Sequence, residues 1–142
     1  MLDTGEPFPT RYWLTCPLAV KRVSDIESQG GVRAYMQRLE GDARLSKRLE
    51  EVHQRYAADR DAEVPDDAPH RPSGGVGGSR GGVKCLHAHV ADYLAGNDNP
   101  IGDSVASAIE PIDCRLPCVT LDGSGATRNP EWSARAAGIT EA

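Results

Sequence analysis

Aromatic side chains are scarce: one Phe, two Trp and four Tyr serve 142 residues. The large aliphatics do not compensate, because Leu, Ile, Val and Phe together fill only 26 positions, just under the share of roughly 20% below which strongly charged chains stay disordered. A net charge of −5 is too small to keep the chain open, so the composition predicts one small domain with a thin core and disordered flanks. No apolar run approaches the ~18 residues of a membrane-spanning helix. Asp3 and Glu6 stand where a signal peptide would carry cations and then apolar residues, which places the expected protein in the cytoplasm. Paired CxxC knuckles are absent, as is a Walker Gly-Lys-Ser/Thr, and no strand runs into a GxGxxG turn. With 21 acidic against 16 basic residues, the chain also lacks the basic stripe of a general nucleic-acid binder. What it does have is four cysteines, Cys16, Cys85, Cys114 and Cys118. In a reducing compartment these favour metal ligation or reactivity over disulfides.

The pattern predicts a mainly α-helical domain, or α+β with a few short strands. Phe8 to Cys16 reads as a short extended piece. Pro17 suits the first turn of a helix that stops at Gly30 and Gly31, and a second short helix through Val32, Tyr35, Met36 and Leu39 closes at Gly41. Asp42 to about Glu63 is the clearest helix, with Leu45, Leu49, Val52 and Tyr56 on one stripe. His53 on it reads as a core histidine. Pro65 to Gly82 holds three Pro and six Gly in 18 residues, too little apolar surface to offset chain entropy, so a flexible loop is expected there with His70 solvated. Helices follow from about Val83 to Ala95 and from near Ile101. The domain is expected to span 1–112. Residues 113–142 show no sustained period, and Thr120 to Ala142 is expected to be disordered.

The chemistry concentrates in Val83 to Leu94. Laid on a helix, Leu86, Val90, Tyr93 and Leu94 form the buried stripe, Cys85, His89 and Asp92 align on one flank at i, i+4 and i+7, and His87 falls on the other. Cys85 and His89 could then share one ion, with zinc favoured by sulfur and imidazole ligands. Cys16 is the natural third ligand, and Asp92, His87, or the Cys114-xxx-Cys118 pair could complete the site; on such a helix His87 and His89 do not readily hold one ion together, a conclusion that a strand in place of the helix would reverse. Two other readings concern Cys16 as a nucleophile at a helix N-terminus, and Ser79, Arg80 and Lys84 beside the Gly-rich run as an anion site.

FPTRYWLTCP, the segment ending IESQGG, GGVKCLHAHVADYLAG and NDNPIG together resemble a bacterial family catalogued as domain of unknown function five-hundred-and-one, over roughly Phe8 to Ile112. The resemblance implies a cytoplasmic protein whose signature residues are Cys16, Cys85, His87, His89, Asn99, Pro100 and Gly102. It also implies that relatives extend upstream of the FPT motif, often carry His at the position of Asp92, and are encoded beside septum-formation initiator and exopolyphosphatase genes. The leading expectation is a protein that holds a structural or catalytic metal, zinc favoured, through Cys16, Cys85, His89, His87 and Asp92. The alternatives are an enzyme or binding protein for a phosphorylated or polyphosphate ligand at the Gly-rich loop, with Cys16 or His87 for chemistry, and an adaptor for a cell-division or envelope protein using the exposed face of the Asp42 to Glu63 helix.

Overall fold

The structure, a computed structural model, describes residues 8–123 and 125–139. Five helices carry it: α1 (Pro17–Ser28), α2 (Gly31–Gly41), α3 (Ala43–Asp61), α4 (Leu86–Leu94) and α5 (Pro100–Ile109), followed by the strands β1 (Val119–Asp122) and β2 (Gly125–Arg128). The fold is mainly α, as the sequence predicts. Three helix starts follow directly from local chemistry. Pro17 opens α1, where a missing N–H costs nothing. The Asp42 carboxylate accepts the Leu45 N–H at 2.9 Å to cap α3, and the Asn99 side chain accepts the Gly102 N–H at 2.9 Å to cap α5.

One core sits among α1, α3, α4 and α5. Val23 of α1, Leu49, Val52 and Tyr56 of α3, Leu86 and Val90 of α4, and Ile101, Val105 and Ile109 of α5 are its largest members. No residue of α2 is fully buried; this helix lies over the core through Val32, Tyr35 and Leu39, and its Tyr35 hydroxyl donates to Ser104 Oγ at 2.8 Å. Helices α4 and α5 cross in close contact, and Gly102 permits it: a Cβ there would stand 2.2 Å from the His89 carbonyl oxygen.

The Gly-rich segment is packed against α3. His53 Nδ1 accepts the Val76 N–H at 3.1 Å, so its Nε2 carries the proton and donates to the Gly82 carbonyl at 2.9 Å. The buried Arg60 donates to the Gly74 carbonyl at 2.7 Å, and Val76 is fully enclosed. Several glycines here answer to this packing, since a Cβ on Gly75 would meet the His53 ring at 2.4 Å and one on Gly82 would meet Met36 Sδ at 2.5 Å. The segment resists prediction because its order comes from polar anchors on another element, which no apolar period records.

Beyond Ile112 the described residues carry more structure than the pattern predicts. β1 and β2 pair antiparallel with Val119 opposite Arg128 and Leu121 opposite Ala126, and Ala137 and Ile139 bury against Leu18 of α1. The expected disorder from Thr120 is thus replaced by a ribbon and a second small apolar cluster; Ser124 and residues 140–142 lie outside the described residues. Of the 26 large apolar residues few lie in this tail, so a cluster built mainly from Ala and a single Ile leaves little signal in the sequence.

Replacing Gly102 by Ala is expected to lower the unfolding free energy by at least about 2 kcal/mol, because neither backbone at the α4–α5 crossing can yield to the added methyl. Urea unfolding should show a lower midpoint at unchanged slope. Gly41→Ala, which meets nothing within 4 Å, should unfold like the wild type or slightly later.

Candidate metal centre

Helix α4 begins at Leu86, three residues later than its pattern predicts, and Cys85 precedes it with extended backbone angles of φ −147° and ψ 120°. The cause is long-range: Glu27, near the end of α1, accepts the Leu86 N–H through Oε1 at 2.6 Å, which supplies the missing partner of the first helical turn from outside. With Cys85 extended, the helical alignment of Cys85 with His89 is not formed. The cysteine instead turns toward His87, whose Nδ1 is 4.0 Å from Cys85 Sγ and 3.3 Å from Glu27 Oε2.

The other side of the His87 ring determines what Nδ1 can do. Nε2 lies 3.2 Å from the Val20 carbonyl oxygen and 3.2 Å from Ser24 Oγ. A carbonyl only accepts, so Nε2 carries the proton, and in the neutral ring Nδ1 presents a bare lone pair. Three electron-pair donors, Glu27 Oε2, Cys85 Sγ and His87 Nδ1, then converge with all their ligand atoms within 4.8 Å of one another. Among the described residues this is the one group of three or more His, Cys, Asp or Glu side chains that meets that distance. Zinc bonds of about 2.0–2.3 Å set at a tetrahedral angle place neighbouring N and O ligands about 3.3 Å apart and N and S about 3.5 Å apart. The nitrogen and oxygen already have that separation, and the sulfur is about half an ångström too far. All three residues are partly exposed, so the group opens to water. Burial, and after it the nearby Glu27 carboxylate, push the Cys85 thiol up from its ordinary value.

The remaining expected ligands lie elsewhere. His89 and Asp92 are fully buried in a polar chain: Arg55 donates to Asp92 Oδ2 at 2.6 Å, Asn99 donates to the same oxygen at 2.9 Å, and Asn99 Oδ1 stands 3.2 Å from His89 Nδ1. Because Asn99 already uses its amide as the donor, His89 Nδ1–H is the donor in that last contact, and its Nε2 lone pair has no partner among the described residues. Cys16 is the cap residue of α1 and packs toward Leu18 and the main core. Glu27 is the ligand candidate that sequence reasoning missed; it lies 58 residues before Cys85, and the only local hint is its place in the IESQGG signature.

The three anion candidates do not converge on a vacant cradle. Ser79 Oγ donates to the Gly81 and Gly82 carbonyls at 2.8 and 3.1 Å. Ser79 and Arg80 line a cavity of about 720 Å³ between α2, α3 and the Gly-rich segment, together with the carboxylates Glu40, Glu50 and Asp61, and Lys84 is outside it.

Burial holds His89 in its neutral form, lowering its pKa from 6.5 to about 4. The folded value lies below the unfolded one, so as pH falls the unfolded chain takes the proton first. The stability contributed is therefore complete above about pH 6.5 and is lost progressively toward pH 4, amounting to about 3 kcal/mol at 1.36 kcal/mol per unit. His53, whose ring centroid is 5.8 Å from that of His89, is lowered by burial as well and adds in the same direction. Urea unfolding measured at intervals from pH 7.5 to 4 should show this slope, and His89→Gln should flatten it.

The chain has no significant similarity to any curated protein or solved structure. No helix among the described residues is long and apolar enough to cross a membrane. A family model described as a protein of unknown function, DUF501, matches residues 1–107. That stretch contains Glu27, Cys85, His87 and the whole α1–α4 contact, and with most of its length matched, the chain belongs to the DUF501 family.

Proposed function

We propose that this protein binds a divalent transition metal, zinc favoured, through Glu27, Cys85 and His87. The single observation that carries the reading is the His87 ring: a carbonyl fixes its Nε2 as the donor, and Nδ1 then faces a carboxylate and a sulfur, an arrangement that a cation between the three atoms resolves. The Val20 carbonyl would serve as the outer partner that orients a metal-binding histidine. A mixed sulfur, nitrogen and oxygen set suits zinc or ferrous iron, and the thiol disfavours calcium and magnesium. Three protein ligands with partial exposure are the pattern of zinc sites that keep a fourth position for water or substrate. Such an ion supplies Lewis acidity, polarising an oxygen of what binds there.

The phosphate-ligand reading is not carried forward, since the hydroxyl of Ser79 is committed within its own turn and three carboxylates share its cavity. The competing account of the Glu27–Cys85–His87 group is a protonated His87 paired with Glu27, which needs no metal.

Elemental analysis of chelator-free protein distinguishes the two. The wild type should carry zinc or iron, and Cys85→Ser, His87→Ala and Glu27→Gln should each carry one equivalent less, with His89→Gln unchanged. Full metal content in both the Cys85→Ser and His87→Ala variants would overturn the proposal in favour of the ion pair.

A further inference from the structure

The other three cysteines come together at the opposite end of α1. Cys16 and Cys118 line one cavity of about 420 Å³ with Arg128 and Trp132, and Cys16 and Cys114 pack on the same small cluster of Leu18, Ala137 and Ile139. Residues 114–118 have irregular backbone and are nevertheless held in place: the Arg115 N–H donates to the Ala137 carbonyl at 3.3 Å and the Asn129 N–H to the Cys118 carbonyl at 3.0 Å, and the Asn129 side chain donates to the Pro117 carbonyl at 2.9 Å. The three thiols are all reduced. Burial, and after it the neighbouring Cys16 and Cys118, push the Cys114 thiol up from its ordinary value.

Three polar features border these cysteines. Cys16 caps α1 without spending its side chain on a capping hydrogen bond, and the first N–H groups of α1 favour negative charge beside them. Arg128 lines the same cavity. The Trp132 indole Nε1–H is buried with no acceptor among the described residues, although a buried indole N–H ordinarily finds one. A thiolate in that cavity is an acceptor of the right kind.

We propose that Cys16, Cys114 and Cys118 form a second metal site, a three-thiolate centre for a soft cation such as zinc, with the Trp132 indole N–H donating to one of the bound sulfurs. Binding replaces the three thiol protons by one cation, and the protons leave to solvent. The three sulfurs are farther apart than the atoms of the Glu27–Cys85–His87 group, so binding a cation draws them together. The three proposed ligands are all sulfur, which distinguishes its preference from that of the first site, although the Asp113 carboxylate neighbours Cys114.

The test uses reduced, metal-free full-length protein in which Cys85→Ser and His87→Ala remove the first site, with cadmium as the probe. This variant should bind one cadmium with the near-ultraviolet absorption of cadmium thiolate bonds, and one equivalent should protect all three remaining thiols from alkylation. Adding Cys114→Ser and Cys118→Ser should abolish the absorption. Trp132→Phe should weaken cadmium affinity about tenfold while leaving the stoichiometry at one, as loss of an outer hydrogen bond to a ligand does. Alkylation of all three thiols at the same rate with and without cadmium would overturn the proposal even if the quadruple variant fails to fold. So would absorption that survives Cys114→Ser and Cys118→Ser, or a Cys16 disulfide in the reduced preparation. Because the first site is absent throughout, failure here leaves the Glu27–Cys85–His87 reading untouched.

Discussion

An α-helix leaves its first backbone N–H groups without partners inside the helix, and in α4 that demand is met by a side chain from another element. Glu27 Oε1 takes the Leu86 N–H at 2.6 Å, its other oxygen faces His87, and the carboxylate thereby determines where α4 begins. Much follows from that one contact. It leaves Cys85 in extended backbone, it turns His87 toward α1, where Val20 and Ser24 receive its far nitrogen, and it leaves His89 facing the interior between α3 and α5. A carboxylate near a helix N-terminus is favourable on its own account, so the contact has a structural reason to exist before any metal is considered. The same geometry is what brings three ligand atoms together.

The buried polar chain does a different job. Arg55, Asp92, Asn99 and His89 belong to α3, α4, the α5 cap and α4 again, and each hydrogen bond in the series crosses between elements. With so few large apolar residues, the domain relies on such directional contacts to select one arrangement of its helices. The cost is a lone pair on His89 Nε2 that has no partner among the described residues and a histidine that must stay neutral. His53 and Arg60 extend the strategy to the Gly-rich segment, fastening it to α3 at Val76, Gly82 and Gly74. There the glycines supply close approach, and a phosphate cradle is not needed to account for them.

At its two ends α1 meets sulfur in two settings. Near its C-terminal end, Glu27 joins one cysteine and one histidine. At its N-terminal end Cys16 neighbours a tail that carries Cys114 and Cys118, 98 and 102 residues later in sequence, and whose only large buried aliphatic among the described residues is Ile139. The Leu18, Ala137 and Ile139 cluster is too small to hold that tail strongly by area alone, at about 25 cal/mol per Å² buried. Main-chain hydrogen bonds from Arg115 to Ala137 and from Asn129 to Cys118 tie the tail's own segments together, and Arg22 of α1 pairs with Asp113 at its start at 3.5 Å.

Much of the helical framework was legible in advance. The stripe of Leu45, Leu49, Val52 and Tyr56, the caps at Asp42 and Asn99 and the prolines at 17 and 100 define helices through neighbours within four residues, and the structure places helices there. The residue types of Cys85 to His89 mark a segment rich in metal-ligating side chains, and Cys85 Sγ stands 4.0 Å from His87 Nδ1. The pairing of Cys85 with His89 was not borne out because it assumed that α4 includes Cys85. That boundary depends on Glu27, 58 residues upstream, and a carboxylate approaching from another helix leaves no periodic trace. The order of residues 74–82, 113–123 and 125–139 leaves little trace in the sequence for a related reason, since it rests on polar anchors and on Ala packing. By itself, then, the sequence determined which residues are helical and which are capable of chemistry, because both are properties of side chains and their near neighbours. Only the tertiary structure decided which of them face one another, because that depends on contacts between elements far apart in the chain, where one capping carboxylate shifts a helix start and so reassigns its histidines.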